Sequence, residues 1–476
     1  MTQRSVFKSY RIIYTKNGIM RAILENDKIV VEDPTDAFKK QIRDVLSYID
    51  SSKEYQIRKM ERNPFTRNSA FLKKLKKEVS GCLVIELPNG SLQIPSGFAH
   101  LVSALSIEDR RADTGKVIAL PWVKTPHACR DYQDEAVSLM LVNYRGLVCL
   151  GTGLGKTLTA VHAIRKIKKR TLIVCPGKAI ADNFYSELVG AFGESKVGYF
   201  GGGKKQIKDI TVGIAASVNN SLDKFVAHDL GLVITDEVHH LAADTFFAIS
   251  TALSSVGRMY GLTATDYRSD GKDILITAGV GDVLIRRDLV WGIQNSWLAD
   301  PFFIVRSVDT IGKEYQGDKL KNYKSHVLES KEMNDQIIGD VNKFIGANKS
   351  VLCLVDQVEH GRMIAAATGL PFATGEDKQS KEYIKQLNAG TIPGLIGTAA
   401  YIGEGCDTKN VDVLVLANFT ATKGKLIQNL GRGMRLHGTK THVIVLDYMP
   451  ASKMLKRHAK ERIKLYEEIT NNVKVI

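Results

Sequence analysis

Short apolar runs, separated by stretches with helical spacing, occupy the chain from residue 121 onward. The runs are rich in β-branched residues and contain few polar positions, which is typical of parallel strands buried on both faces. They lie at 146–150, 171–175, 210–215, 232–235 and 259–263, and beyond a polar stretch at 311–324 they recur at 350–355, 394–397, 411–417 and 442–446. This pattern predicts two α/β domains in tandem.

The first 122 residues have a different pattern. Alternating positions at 5–14, 20–24 and 29–32, with an Asn17-Gly18 turn between the first two, predict a small β-meander. Helical spacing over 36–49 and a second turn at Asn89-Gly90 add a helix and a hairpin, so we expect an α+β accessory domain. The predicted division of the chain is an accessory domain at 1–122, α/β domains at 123–300 and 301–449, and a basic C-terminal helix at 450–476.

The chain is basic, with 66 Lys and Arg against 51 Asp and Glu and a net charge of +15. Such a surface suits a polyanion such as nucleic acid, although an inert basic surface is the alternative. The six cysteines include no Cys-x-x-Cys pair, so neither a zinc cluster nor a disulfide framework is indicated. There is no apolar signal core and no apolar run long enough to span a membrane. We expect a cytoplasmic protein with no membrane partner; the oligomeric state is left open, with a monomer expected.

One stretch of the accessory domain, residues 62–77, combines Lys and Arg with two interleaved Phe. Lysines on one helix face can contact phosphate groups without regard to base sequence, but a basic helix face is also often merely solvated. Both a solvated face and DNA contact are consistent with this pattern. The candidate DNA contacts are Lys73, Lys74, Lys76 and Lys77.

A glycine-rich turn follows the apolar run at 146–150. Its residues are Gly151, Thr152, Gly153, Leu154, Gly155, Lys156 and Thr157. A strand, such a turn and a helix start aim backbone N–H groups and the helix dipole at phosphate oxygens. Lys156 can then bind the β and γ phosphates of a nucleotide, and the Thr157 hydroxyl can bind Mg²⁺. The usual pattern has glycine at the position of Leu150, but the three remaining glycines preserve the mechanism. A glycine-rich helix N-cap without a nucleotide is the alternative.

Two adjacent carboxylates, Asp236 and Glu237, follow the apolar run at 232–235. A parallel strand that delivers carboxylates to its C-terminal end is what a metal–nucleotide site requires. Asp236 can hold Mg²⁺ through water, and Glu237 can orient and deprotonate the attacking water. An Asp-Glu pair alone is a weak indication of a nucleotide site. Its position after the glycine-rich turn makes the indication stronger.

The order of these motifs resembles that of superfamily 2 helicases, motor proteins with two RecA-like domains, over residues 126–449. The resemblance implies an α/β fold of two tandem RecA-like parallel-sheet domains, preceded here by the small α+β accessory domain. It also implies that Arg130 and Gln133 bind adenine, since the Gln amide can pair with the edge of that base. ATP and Mg²⁺ are therefore the expected cofactors.

The resemblance implies roles for further residues in both domains. It places a nucleic-acid strand along Pro176, Gly177, Lys178, Ser217 and Thr398. It assigns coupling between nucleotide and nucleic acid to Thr263, Ala264 and Thr265. In the second domain it assigns nucleotide binding to Gly405 and Asp407, and catalysis to Gln428, Arg432 and Arg435. The two arginines would lie one helical turn apart, so that both reach the γ phosphate.

The accessory domain, the compact motor and the segment 293–301 are most similar to phage branch-migration and recombination helicases. The predicted function is ATP-dependent translocation on DNA, with unwinding or branch migration of forked or junction DNA in recombination, repair or replication. The expected partner is forked, branched or single-stranded DNA. A duplex DNA translocase that does not separate strands is the first alternative, and an RNA helicase is the second. A non-catalytic scaffold would require the loss of a catalytic group, and all of these groups are present.

Overall fold

The computed structural model describes residues 20–476 except 64, 125–126, 240, 242, 265–271, 404–407, 420–422 and 439. The predicted strand at 5–14 and the Asn17-Gly18 turn therefore lie outside the described residues. The chain divides into two compact units. The first extends to Arg286 and leaves out Gly151–Leu154, which group with Arg287–Ile476 in the second. Within the described residues, no helix is both long and apolar enough to cross a membrane.

The first unit begins with a small α+β region. Its elements are β1 (Arg21–Leu24), β2 (Lys28–Glu32), α1 (Asp36–Val45), β3 (Ser47–Ile49), α2 (Ser51–Glu61), α3 (Ala70–Glu78), β4 (Ser80–Cys82), β5 (Ile85–Glu86), β6 (Leu92–Pro95), a 3₁₀ helix (Ser96–Val102) and β7 (Ser106–Asp109). Five strands form one sheet in the order β5-β6-β2-β1-β7, and β3 and β4 form a separate pair. β5 and β6 pair antiparallel around the predicted turn, where Gly90 has a φ of +83°.

Alternation along the strands places one row of side chains in the core of this region. In β2, Ile29 and Val31 are fully buried while their neighbours are half-buried. α1 begins after Thr35, whose hydroxyl accepts the N–H of Phe38 at 3.2 Å, and it buries Phe38 on the same core. The core cluster also includes Ala278 from the following α/β region, so the α+β region packs directly on that region.

The rest of the first unit is an α/β region. Its elements are α4 (Asp131–Val142), β8 (Arg145–Leu150), α5 (Lys156–Ile167), β9 (Thr171–Cys175), α6 (Lys178–Phe192), β10 (Val197–Gly201), β11 (Lys204–Lys205), β12 (Ile210–Ile214), α7 (Ala215–Asn219), α8 (Leu222–Val226), β13 (Leu232–Thr235), α9 (Ala243–Ala252), β14 (Arg258–Thr263), α10 (Asp273–Val280) and β15 (Val283–Arg287). The strand order is β11-β10-β12-β9-β13-β14-β8-β15. The strands from β10 to β8 pair in parallel, and β11 pairs antiparallel with β10. These parallel strands are buried almost throughout, which explains their continuous apolar sequences.

The second unit contains a second parallel sheet. Its elements are α11 (Leu289–Gln294), β16 (Asp300–Val308), α12 (Lys319–Tyr323), a π-helical turn (Lys324–Leu328), α13 (Lys331–Gly346), β17 (Val351–Val355), α14 (Val358–Thr368), β18 (Phe372–Ala373), α15 (Ser380–Ala389), β19 (Gly394–Thr398), α16 (Ala399–Gly403), β20 (Val413–Ala417), α17 (Lys423–Gly433), β21 (His442–Pro450), α18 (Lys453–Ile469) and β22 (Val473–Val475). The strand order is β18-β19-β17-β20-β21-β16-β22. The predicted fold class, two RecA-like parallel-sheet domains preceded by a small α+β region, is confirmed. The predicted residue boundaries of the domains stay a prediction.

A buried ion pair fixes α18 to the second sheet. Asp447 of β21 accepts hydrogen bonds from Arg462 Nε at 2.7 Å and Nη2 at 2.9 Å. The Tyr466 hydroxyl donates to the same carboxylate at 2.8 Å. Beyond this helix, β22 pairs in parallel with β16 as an edge strand, which the apolar pattern of the sequence did not indicate.

A histidine of α14 is fully buried in the second unit. His360 Nδ1 lies 3.0 Å from the Tyr323 hydroxyl, and Nε2 lies 2.9 Å from Asn334 Oδ1. Burial lowers the pKa of His360 to about 4. In an unfolded chain the histidine pKa is about 6.5, so acid protonates the unfolded state before the folded one. The stability contributed by neutral His360 is therefore complete above pH ~6.5 and is lost as the pH falls toward 4.

We expect this difference to appear in chemical unfolding of wild type and His360→Gln. Between pH 7.5 and pH 5, wild type should lose about 2 kcal/mol more of its free energy of unfolding than the variant, because only wild type must keep a histidine neutral. Urea titrations at the two pH values, read by hydrogen exchange of peptides from α13 and α14, measure both losses in the second unit, and the common loss from other groups cancels in the difference. An equal loss in the two proteins would show that His360 does not set this dependence.

Candidate active site

The predicted motifs of the first parallel sheet meet at one edge. β12, β9, β13, β14 and β8 are neighbours and run in parallel, so their C-terminal ends lie on the same side. Ligand sites of parallel α/β sheets form at this edge. The residues there are the glycine-rich turn at 151–155, Pro176, Gly177 and Lys178, Ser217, Asp236 and Glu237, and Thr263 with Ala264.

The glycine-rich turn has the backbone that its sequence predicts. Gly153 and Gly155 have φ values of +90° and +80°, a conformation that favours glycine. Gly155 caps α5, so Lys156 is the first helical residue and Thr157 follows, half-buried in the first turn. Leu150 is buried as the last residue of β8, before the turn begins, so the turn does not require glycine at this position.

Lys156 and Glu237 form an ion pair at this edge. Lys156 Nζ lies 3.0 Å from Glu237 Oε1, and the side chains are 12% and 11% exposed. Glu237 has a φ of +45°, which is unusual for a residue with a side chain and is typical of functional sites. Asp236, also buried, is held by its backbone N–H, which donates to Val174 of β9 at 2.9 Å. Lys156 follows β8 and Glu237 follows β13, so the ends of these two strands bring the Lys156 ammonium beside the Glu237 carboxylate.

His239 extends this pair toward the next strand. Its Nδ1 lies 3.5 Å from Glu237 Oε2 and is hydrogen-bonded to Thr263 Oγ1 at the end of β14. Thr263, one of the predicted coupling residues, is thereby connected to the ion pair through His239. His239 was not among the predicted site residues, although it lies only two residues after Glu237. Ala264 follows Thr263 directly, and Thr265 lies outside the described residues.

The two candidate adenine-binding residues lie at the start of α4. Gln133 is buried, and its amide oxygen accepts the backbone N–H of Arg130 at 3.0 Å. A Cβ on Gly155 would overlap the Gln133 amide nitrogen, so this side chain lies against the glycine-rich turn. Arg130 Nη1 donates to the Tyr132 hydroxyl at 3.0 Å. Burial raises the pKa of Tyr132 above its usual value.

These residues fit a nucleotide with a magnesium ion. Gly153 and Gly155 have a left-handed backbone and carry no side chain, as in glycine-rich turns whose backbone N–H groups bind phosphate. The Thr152 hydroxyl is buried and has no hydrogen-bond partner among the described residues, so the turn also offers an unused polar atom. A hydroxyl at Thr157 and a carboxylate at Asp236 are oxygen ligands of the kind that Mg²⁺ prefers.

The candidate strand-binding residues lie on both units. In the first, Gly177 precedes α6, nothing lies within 4 Å of a Cβ built on it, and Lys178 is exposed. Pro176, directly after β9, and Ser217, in α7, are half-buried. In the second unit, Thr398 ends β19 and is buried. Lys73, Lys74 and Lys77 are exposed on α3.

The arginines of the second unit differ from their prediction in one respect. α17 ends at Gly433, so Arg435 lies beyond the helix, where it forms a bridge with Leu298. Their spacing had predicted that the two arginines share a helical face, and in the structure they do not. Arg432 is buried, and its Nη2 donates to the Gly403 carbonyl at 2.9 Å. Gln428 is half-buried on the same helix, and Gly405 and Asp407 lie outside the described residues.

Comparisons with known proteins cover much of the chain. Residues 126–268 match the family model described as Type III restriction enzyme, res subunit. The chain is 26% identical over 376 residues to the DNA 3'-5' translocase XPB2 of Sulfurisphaera tokodaii, covering 70% of this chain and 84% of that protein. It is 26% identical over 351 residues to the putative DNA 3'-5' helicase Rad25 of Halobacterium salinarum, covering 71% of this chain and 57% of that protein. The chain thus spans most of the first relative and little more than half of the second.

A solved structure agrees in fold. The DUF1998 helicase MrfA, in a crystal structure with DNA, aligns with 76% of this chain and 53% of its own, with 13% identity and a TM-score of 0.57. This likeness concerns the fold alone. The family match, the two relatives and the motifs placed at one sheet edge agree with the resemblance seen in the sequence. These findings support an ATP-dependent helicase of superfamily 2, and the chain contains two RecA-like domains.

Proposed function

We propose that this helicase acts on DNA: it hydrolyses ATP to translocate, and it unwinds or branch-migrates forked or junction DNA in recombination, repair or replication. The observation that carries the proposal is the Lys156–Glu237 pair, which His239 connects to Thr263. The net charge of +15 supports a polyanionic partner. The two relatives, a DNA translocase and a putative DNA helicase, support DNA rather than RNA.

Lys156 and Glu237 have separate tasks in hydrolysis. The phosphates of ATP compete with Glu237 for the Lys156 ammonium, because both are anions that this side chain can reach. Glu237, released from the pair, accepts a proton from the attacking water, and His239 remains beside its second carboxylate oxygen. Magnesium, held by Thr157 and Asp236, would neutralise charge on the phosphates.

The remaining candidate residues complete the nucleotide site and the strand path of this proposal. Arg130 and Gln133 bind the adenine, and in the second domain Gly405 and Asp407 contribute to nucleotide binding. Gln428, Arg432 and Arg435 stabilise charge on the γ phosphate. The strand contacts phosphates by way of Pro176, Gly177, Lys178, Ser217 and Thr398, with Thr263, Ala264 and Thr265 coupling the two sites. Such contacts do not depend on base sequence and weaken with salt.

Strand release from three substrates tests the proposal. With ATP, we expect the wild-type chain to open a DNA fork and a four-way DNA junction but not a matched RNA duplex. Faster release from the junction than from the fork would support branch migration. Without ATP no strand should be released. Opening of the RNA duplex alone would overturn the choice of DNA.

A duplex DNA translocase is the second candidate, and the likeness to XPB2, itself a DNA translocase, favours considering it. It would hydrolyse ATP in a DNA-stimulated way without releasing either strand. Displacement of a third strand from a DNA triplex measures such movement. Triplex displacement without strand release would favour the translocase over the unwinding enzyme.

A further inference from the structure

A helical arm projects from the α+β region between α1 and β5. We define the arm as Ser47–Cys82: the paired strands β3 and β4 form its base, and α2 and α3 form its body. Across the base, a Cβ on Gly81 would lie 2.6 Å from the Tyr48 ring, so glycine allows this ring to pack. Ile57, Leu72 and Leu75 form a small core between the helices, separate from the other core clusters.

The arm exposes aromatic side chains, and one of them lies at its tip. Phe65, between the two helices, is 94% exposed, and Tyr55 and Phe71 on the helices are 70% and 58% exposed. The turn around Phe65 is held by local hydrogen bonds: its N–H donates to Asn63 Oδ1 at 3.0 Å, and the Thr66 hydroxyl donates to the Met60 carbonyl at 2.9 Å. The Phe65 ring buries almost no surface within the arm, so it contributes almost nothing to the stability of the arm. Its position indicates a partner with an apolar face.

The arm is also strongly basic. It contains nine Lys and Arg against four Asp and Glu, and four of the nine form ion pairs within it, namely Lys53, Arg58, Lys74 and Lys76. The other five have no ion pair within the part of the chain that the structure describes; they are Lys59, Arg62, Arg67, Lys73 and Lys77. Arg62 and Arg67 stand three and two residues from Phe65. Cations beside an exposed ring suit a ligand that combines phosphates with flat bases.

The base of the arm is fixed to the unit that carries the Lys156–Glu237 pair. Asp50 caps α2 by accepting the N–H groups of Ser52 and Lys53, each at 3.1 Å. The same carboxylate pairs with Lys272 Nζ at 2.8 Å, and this ammonium also lies 3.0 Å from Asp244 Oδ1. Lys272 is 7% exposed and stands immediately before α10. The pair is therefore shielded from solvent and holds the arm at a defined position on the α/β region.

We propose that the arm is the strand-separating element of this enzyme: Phe65 stacks on the end of a DNA duplex at a fork, while Arg62 and Arg67 hold the flanking phosphates. Lys59, Lys73 and Lys77 add contacts to the backbone of the duplex. The inference rests on the proposed DNA substrate and goes beyond it, because no helicase motif includes residues of the arm.

Binding without ATP tests the arm separately from unwinding. We expect Phe65→Ala to weaken binding of a DNA fork about tenfold, because a stacked aromatic ring is lost, and to leave binding of a single strand within about twofold. Phe65→Trp should retain fork binding, because the larger ring also stacks. Phe302→Ala, at a half-exposed phenylalanine of β16, is the matched control and should bind both substrates like wild type. Fluorescence anisotropy with labelled fork and single strand measures all four proteins.

Two further readouts complete the test. Arg62→Ala with Arg67→Ala should reduce the dependence of log Kd on log salt by about 2, as expected for two lost phosphate contacts. With ATP, Phe65→Ala should release strands from a fork about tenfold more slowly while its ATPase, stimulated by single-stranded DNA, is unchanged. Equal fork binding and equal strand release by wild type and Phe65→Ala would overturn the proposal. Failure of the proposed function looks different, since wild type would then open no DNA substrate.

Discussion

Lys156→Ala should lower the turnover number for ATP hydrolysis by about 10²–10³-fold or more, because the variant removes the cation that stabilises phosphate charge. The loss should extend to ATP affinity, since the same ammonium binds the phosphates before reaction. DNA binding should persist, because Lys156 faces Glu237 rather than the proposed strand path. Phosphate release at saturating single-stranded DNA measures the turnover.

Glu237→Gln separates the two tasks of this pair. Glutamine can still accept a hydrogen bond from Lys156 but cannot take a proton from water, so turnover should fall to a similar extent while ATP affinity is kept. Lys166→Ala, which removes a half-exposed lysine from the same helix as Lys156, is the control and should hydrolyse ATP like wild type. Either active-site variant hydrolysing ATP at the wild-type rate would refute the assignment of its residue.

Asp447→Asn should lower the free energy of unfolding of the second unit by about 3–5 kcal/mol, because it leaves a buried guanidinium without its counter-charge. The side chains of Arg462 and Asp447 are 4% and 1% exposed, so water cannot replace the lost carboxylate. The Tyr466 hydroxyl loses an ionised acceptor as well. Hydrogen exchange of peptides from β21 and α18 measures the change locally, which avoids treating a chain with two units as a single transition.

A surface ion pair of the same unit provides the comparison for this loss. Lys423 Nζ lies 3.0 Å from Glu468 Oε2, but the two side chains are 50% and 54% exposed. Lys423→Ala should therefore change the free energy of unfolding by no more than about 1 kcal/mol. Equal hydrogen-exchange protection of α18 and β21 in Asp447→Asn and in wild type would show that the buried ion pair does not hold the C-terminal helix.

The sequence by itself determined the fold class and which residues lie at the tips of the strands. Strands buried on both faces are continuous apolar runs, so the two parallel sheets could be predicted without knowing which strands are neighbours. The glycine-rich turn could also be predicted from the local sequence, because a backbone with φ near +80° favours glycine at position 155 whatever surrounds it. The Asn89-Gly90 hairpin was predictable for the same reason. Each of these features depends on residues close together in the chain.

Only the tertiary structure decided which of these groups touch. The contact between His239 and Thr263 depends on β13 and β14 being neighbours, and the pair of Asp50 with Lys272 joins segments from opposite ends of the first unit. Arg435 was misplaced because its spacing from Arg432 fits a helix, whereas the chain leaves α17 at Gly433 to form a bridge with Leu298. Local sequence sets the backbone of a turn or strand, but ion pairs between distant segments arise only when packing brings those segments together. The hydrophobic pattern of the sequence does not show which distant segments meet.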